Sequence, residues 1–229
     1  DATLNDVMLK AVAAGGGSVA IGHYTAQKHQ GAGPLMAIGM NAFTNANSAM
    51  PGTAIGYQSG MNVTTGQYNT FVGYRTGTDA TSASGNTVLG HDAGTSISTG
   101  NNNTIIGYQS GGTMSGNGNT FIGKGCGSQV LLGANNSMIG GYGGETGAAF
   151  SGNVVLSDGA ANIKFQANYY GAWSPDGTNY GTNGQVLTSQ GANLPPVWAA
   201  AGGGGSPATP SVAGIVNGIT AVNTYNTAY

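Results

Sequence analysis

Apolar and polar positions recur along this chain in a fixed five-residue phrase, a small or polar pair leading into two mostly apolar residues and a glycine. Asn103-Thr104-Ile105-Ile106-Gly107 shows it most clearly. Aligned on the glycine, the phrase gives Gly22, Gly39, Gly56, Gly73, Gly90 and Gly107 at steps of 17 residues. Gly123 follows after 16 and Gly140 after 17, and a ninth copy ends at Ser157. A fixed period of this kind marks a solenoid, whose units are too small to bury an apolar face alone and rely on stacked neighbours. Seventeen residues are too few for a helix pair but enough for two strands of about five residues and two tight turns. The period therefore predicts an all-β, repetitive parallel β-roll or β-helix.

Side chains alternate faces along a strand. The residue before each anchor glycine is Ile21, Ile38, Ile55, Val72, Leu89, Ile106, Ile122, Ile139 or Leu156, aliphatic without exception, and reads as the core ladder of the roll. One step earlier stand Ala20, Ala37, Ala54, Phe71, Val88, Ile105, Phe121, Met138 and Val155. These are apolar too, and on this reading they point outward. An exposed row of Phe, Ile, Met and Val exceeds ordinary monomer patches. Phe71, Val88, Ile105, Phe121, Met138 and Val155 are accordingly expected to form the interface of a homotrimer, each contributing roughly 1.5–3 kcal/mol on burial. The change from Ala to Phe at Phe71 suggests looser or narrower packing toward the N-terminus.

Three more ladders keep the register. Asn69, Asn86, Asn103, Asn119, Asn136 and Asn153, four before the anchor, suit stacked amides bonded from coil to coil. Gly60, Gly77, Gly94, Gly111, Gly127 and Gly144, four after it, suit a sharp corner with positive φ. Val63, Ala80, Ile97, Met114 and Val130 fit the inward row of the opposite wall.

Residues 1–17 read as a joint to a preceding element, and 18–159 as the roll of about nine repeats. Residues 160–199, with Phe165, Tyr169, Tyr170, Trp173, Tyr180 and Trp198, read as an aromatic-rich cap whose rings close the end of the core. A Gly/Ser/Pro linker covers 200–210 and a short shaft segment or stub 211–229.

Charged residues are 5% of the 229, about a fifth of the usual share, and glycine reaches 44. Such composition alone suggests disorder, but disorder gives no reason to hold an aliphatic residue in register through nine repeats. The net charge of −2 and scattered cations offer no field for nucleic acid. No apolar run is long enough to span a membrane. Cys126 is the sole cysteine and falls in a position held elsewhere by Thr25, Ala42, Ser59, Thr76, Ala93 and Ser110, a tight slot for a small residue.

Catalytic spacing is not evident. The acids never pair at motif distance, and Asp92 beside His91 is the nearest approach. Adjacent strand residues face opposite ways, so this pair reads as a solvated turn, and no enzyme activity or cofactor is expected. His23, His29 and His91 lack the alternating spacing of metal-lined fibres, so no metal site is expected. Tyr57, Tyr74 and Tyr108 each follow an anchor glycine. They read either as rungs packed on one another at a corner or as an exposed stripe for a host surface glycan.

Ser18-Val19-Ala20-Ile21-Gly22 resembles the repeat of trimeric autotransporter adhesin heads. Asn69-Thr70-Phe71-Val72-Gly73-Tyr74 and Asn103 to Gly111 look more like repeats of phage tail fibres and of surface proteins that end in an endosialidase-type chaperone domain. Gly184-Gln185-Val186-Leu187-Thr188-Ser189-Gln190-Gly191 with Pro195-Pro196-Val197-Trp198 is similar to a phage-fibre junction, and Ala208 to Val216 to short shaft modules. The 17-residue period is longer than that of the adhesin heads, so left-handedness is only implied. The resemblance implies a virion tail fibre that partners itself and other tail proteins and supports host attachment. A bacterial surface adhesin, a structural filament and a polysaccharide-degrading tailspike stand as alternatives.

Overall fold

The computed structural model of the chain describes residues 17–29, 33–47, 51–145 and 150–201, among which there is no helix. Nine short strands follow one another: β1 (Val19–Ile21), β2 (Leu35–Ile38), β3 (Gly52–Ile55), β4 (Asn69–Tyr74), β5 (Thr87–His91), β6 (Thr104–Ile106), β7 (Thr120–Ile122), β8 (Ser137–Ile139) and β9 (Val154–Ser157). Each pairs in parallel with the next, in a register that aligns Ala20, Ala37, Ala54, Phe71, Val88, Ile105, Phe121, Met138 and Val155. The 16-residue step before Gly123 leaves that register intact. The result is an all-β parallel solenoid of about eight coils, about 17 residues apart.

The two apolar rows are reversed relative to the sequence expectation. Phe71, Val88, Ile105, Phe121, Met138 and Val155 are fully buried inside the single chain, so they cannot form an interface between chains. The row expected to be core faces outward instead. Leu89, Ile139 and Leu156 are 45%, 51% and 44% exposed, and Ile21, Ile38, Ile55, Val72, Ile106 and Ile122 are half-buried. Strand parity explains the reversal. The Asn ladder at −4 from the anchor shares a face with −2 and is buried, whereas Thr70, Thr87, Thr104, Thr120 and Ser137 at −3 share a face with the aliphatic row and meet solvent.

The buried amides bind the coils together. Asn86 Oδ1 accepts from the Asn103 backbone N–H at 2.9 Å and from Asn103 Nδ2 at 3.1 Å. Asn103 Nδ2 also donates to Gly116 O at 3.1 Å, and Asn103 Oδ1 serves Asn119 in the same way. The pattern repeats from Asn69 to Asn153. The last free acceptor, Asn153 Oδ1, takes Gln166 Nε2 at 3.3 Å. Gln166 comes from β10 (Ile163–Ala167), which pairs antiparallel with β9 and then with β11 (Trp173–Ser174), closing the sheet.

Glycines at +4 turn the corner with φ of 53° to 84°. A Cβ on Gly77 would lie 2.5 Å from the Phe71 ring. Room left by small strand residues is filled from the same corner. Phe43, at +4 with φ 47°, is buried where Ala37 and Ala54 leave space, and its ring meets Phe71 edge-on at 6.1 Å. The alanine-lined N-terminal coils are thus narrow in their strand row but filled. Val63, Ala80, Ile97, Met114 and Val130 are all buried as the opposite inward row. That wall differs from the expected second strand, since its only ladder pairing among the described residues is the isolated bridge Ser96 to Thr113. Left-handed residues at +2 (Tyr24, Asn41, Gln58, Arg75, Asp92, Gln109) and +4 break extended backbone there, and coil-to-coil bonds such as Asp79 N–H to Thr95 O at 2.8 Å hold the turns.

The compact unit that holds the roll runs to Thr178. The second begins at Asn179 and contains the hairpin of β12 (Gln185–Thr188) and β13 (Val197–Ala200). The segment 160–199 is therefore two pieces, not one cap. The aromatics of the first piece do not form a cap core: Tyr169, Tyr170 and Trp173 are exposed, while Gln166 and Ser174 are buried. Most of residues 1–17, of the linker at 200–210 and all of 211–229 lie outside the described residues.

Replacing Asn103 by Ala leaves the Asn86 carbonyl, the Gly116 carbonyl and Asn119 short of partners in the core. Denaturant unfolding is expected to show a loss of about 1–3 kcal/mol. Gly125, at +2 with φ 66°, has open space around a would-be Cβ, so Gly125→Ala carries only the left-handed backbone cost of about 1–2 kcal/mol. Gly77→Ala is expected to lose clearly more in the same assay, because it also strikes Phe71.

Candidate interaction face

The outer face of the parallel sheet carries three rows. Hydroxyl or apolar residues stand at −3 (Val19, Met36, Thr53, Thr70, Thr87, Thr104, Thr120, Ser137, Val154) and the aliphatic row at −1. Neither row holds a charge in any of the nine strands. On the cap, β9 to β10 pairing sets Phe165 beside Leu156 and Gln166 beside Val155, so Phe165 extends the outward row and Gln166 the inward one. Trp173, 57% exposed, packs edge-on against Phe165 at 5.6 Å and continues it.

One margin of this face is an aromatic column at +1. Tyr57 and Tyr74 stack with centroids 5.1 Å apart and planes 17° apart, Tyr74 and His91 at 4.6 Å and 18°, and His91 and Tyr108 at 5.4 Å and 33°. The spacing is that of neighbouring strands. His91, which occupies the same register as the tyrosines, joins them as a fourth member. Ring faces are turned to each other along the column and ring edges to solvent. Stacking on a sugar uses a ring face, so the column matches rungs at a corner better than a row of open platforms.

Beside the column, Asp92 does not point away from His91. The left-handed backbone at Asp92, φ 53°, brings the two together, with His91 Nδ1 3.1 Å from Asp92 Oδ2. Arg75 Nε lies 3.5 Å from Asp92 Oδ1, linking adjacent coils. Asp92 thus meets His91 of its own coil and clasps Arg75 of the coil before, so the two are not separately solvated side chains. Beside β1 to β4 only, the opposite margin is a shallow open groove of about 460 Å³, lined by Val19, Met36, Thr53 and Thr70 together with Pro34, Pro51 and Tyr68.

The remaining groups are dispersed. His23 stacks on Tyr24 at 3.8 Å, and buried His29 places Nδ1 3.1 Å from Asn47 O. Among the described residues no three His, Cys, Asp or Glu side chains gather to hold a metal, and no helix is long and apolar enough to cross a membrane. Asp158 organises the reversal into β10: Asn162 bonds its carboxylate through side chain and backbone, Lys164 Nζ approaches to 3.2 Å, and its pKa is lowered to about 2.

Cys126 fills its slot fully buried, with Sγ 3.4 Å from Met138 O, as Ser59 reaches Phe71 O at 3.0 Å and Ser110 approaches Phe121 O at 3.5 Å. Burial pushes the thiol pKa up to about 11. Comparison of the chain with protein-family models, with curated proteins and with solved structures finds no match.

The native thiol is expected to resist iodoacetamide at pH 8 and to react once the chain is unfolded in denaturant, as counted by mass spectrometry. Because the folded pKa lies above the usual value near 9, its contribution to stability is complete below pH 9. That contribution is lost as pH rises from 9 toward 11, which unfolding measured across that window would register.

Proposed function

We propose that the chain is a structural fibre segment of a phage tail that works as a homotrimer and supports adhesion to the host surface. Its work is mechanical. Nine strands stacked at about 4.8 Å supply on the order of 40 Å of rigid length, and the amide ladder ties every coil from β4 to β9 to its neighbours. The observation that carries the reading is the uncharged aliphatic row on the outer face of the sheet, repeated through all nine strands. A lone chain in water gains nothing from such a row, whereas a fibre of several chains buries it. Attachment then belongs to the modules the segment holds in place, and weak contacts multiplied by three copies add through avidity.

Light scattering should return three times the 22.5 kDa chain mass, and an unboiled detergent gel should keep the trimer band. Antibodies against the purified chain are expected to decorate tails in immunogold electron microscopy of phage particles from its source. Decoration of bacterial cell surfaces, with bare particles, would overturn the phage assignment.

A further inference from the structure

We infer that Asn183 is a self-modification site, closed to a succinimide by the Gly184 backbone nitrogen, and that the roll shields Asn117 from the same reaction. The chain has three Asn-Gly pairs, at Asn117, Asn183 and Asn217, the last outside the described residues. A following glycine matters because, lacking a Cβ, it leaves its nitrogen open to the preceding side chain and its backbone free to turn. The Gly184 nitrogen attacks Asn183 Cγ and an N–C bond forms. The bond from Cγ to the side-chain nitrogen breaks, and that nitrogen departs as ammonia with the Gly184 proton. Water then opens the ring at either carbonyl, leaving an aspartyl or an isoaspartyl residue at position 183. No electrons are exchanged and water is the sole co-reactant.

The two described pairs stand in opposite surroundings. Asn183 and Gly184 are exposed in the turn that leads into β12, which Gln185 N–H closes on Thr182 O at 3.0 Å. Gly184 has φ 86°, and a Cβ built on it would meet nothing within 4 Å. Among the described residues the Asn183 amide has no hydrogen-bond partner and the Gly184 N–H donates to none. The peptide unit that joins them is therefore free to rotate into reach of Cγ. At the other pair, Asn117 Oδ1 accepts from Asn101 N–H at 2.7 Å and from Asn101 Nδ2 at 3.3 Å. Gly118 N–H donates to Asn101 O at 2.9 Å, and Asn117 O accepts from Asn135 N–H at 2.9 Å. Electrophile and nucleophile are both tied to neighbouring coils, so attack there requires the roll to open first.

The isoaspartyl product carries one more carbon in the main chain just ahead of Gln185. It spoils the Thr182 to Gln185 turn, and a two-stranded hairpin has little stability in reserve. Pairing of Gln185–Thr188 with Val197–Ala200 then loosens, while the roll, in the other compact unit, keeps its register.

The test incubates the full chain at mildly alkaline pH, folded or in denaturant, and follows it by peptide mass spectrometry. Chymotryptic cuts after Tyr108, Phe121, Tyr180, Leu187 and Trp198 put the three asparagines on separate peptides. Conversion is read as a gain of one mass unit, and the isoaspartyl share as label taken up from a methyl donor through isoaspartyl methyltransferase. In the folded protein Asn183 is expected to convert at least about tenfold faster than Asn117, a ratio that ~1.4 kcal/mol of opening cost already gives. In denaturant the two rates are expected to converge. Asn183→Gln, whose longer side chain closes the ring far more slowly, is expected to abolish both signals on its peptide with an unchanged β spectrum. Equal conversion of Asn117 and Asn183 in the folded protein would overturn the inference. So would an Asn183 that reacts only in denaturant.

Discussion

The structure depends on one buried hydrogen-bonded column, the asparagine side chains that pass from Asn69 to Asn153 through the interior. Each amide satisfies a backbone donor in the coil after it and bonds the next amide. A slip of one residue between coils would strand several polar groups away from water, at a cost far above that of any single contact. The column therefore locks register. By strand parity it also decides which residues are enclosed, sending −2 inward and −1 outward. The cap obeys the same demand, since Gln166 enters the core as the final donor.

Enclosure of the −2 row accounts for its variety. A stacked interior shares volume between coils, so Phe43 can occupy space left by Ala37 and Ala54, and glycine at +4 makes way for Phe71 or Phe121. The outer row has no such freedom. Its regular Ile, Val and Leu suit contact with another regular surface, which is the physical root of the proposed fibre. The aromatic column and the Arg75, Asp92 and His91 clasp lie beside that row.

Much of this was legible in the residues. The period, the strands, the corner glycines, the amide ladder and the inward row from Val63 to Val130 all followed from spacing. Which face is enclosed is not legible from uniform aliphatic character, because it is parity with the threonines of the −3 row, at Thr70, Thr87 and Thr104, that marks the outside. The left-handed turns at Tyr24, Gln58, Arg75 and Asp92 were not legible, since no glycine announces them. For the same reason the backbone alone accounts for the meeting of Asp92 with His91 and for the lack of a second strand per coil among the described residues. The exposure of Tyr170 and Trp173 is not legible, because aromatic content says nothing of which side of a hairpin it occupies.

Hydroxyl-radical footprinting of the intact protein in solution tests most directly whether water reaches the outer row. Leu132, 58% exposed on a turn, and Tyr170, 89% exposed, serve as open references. Copies packed through the sheet face predict that Leu89 and Ile139 are protected while Leu132 and Tyr170 are modified. Oxidation of Leu89 and Ile139 at the rate of Leu132 would contradict the account.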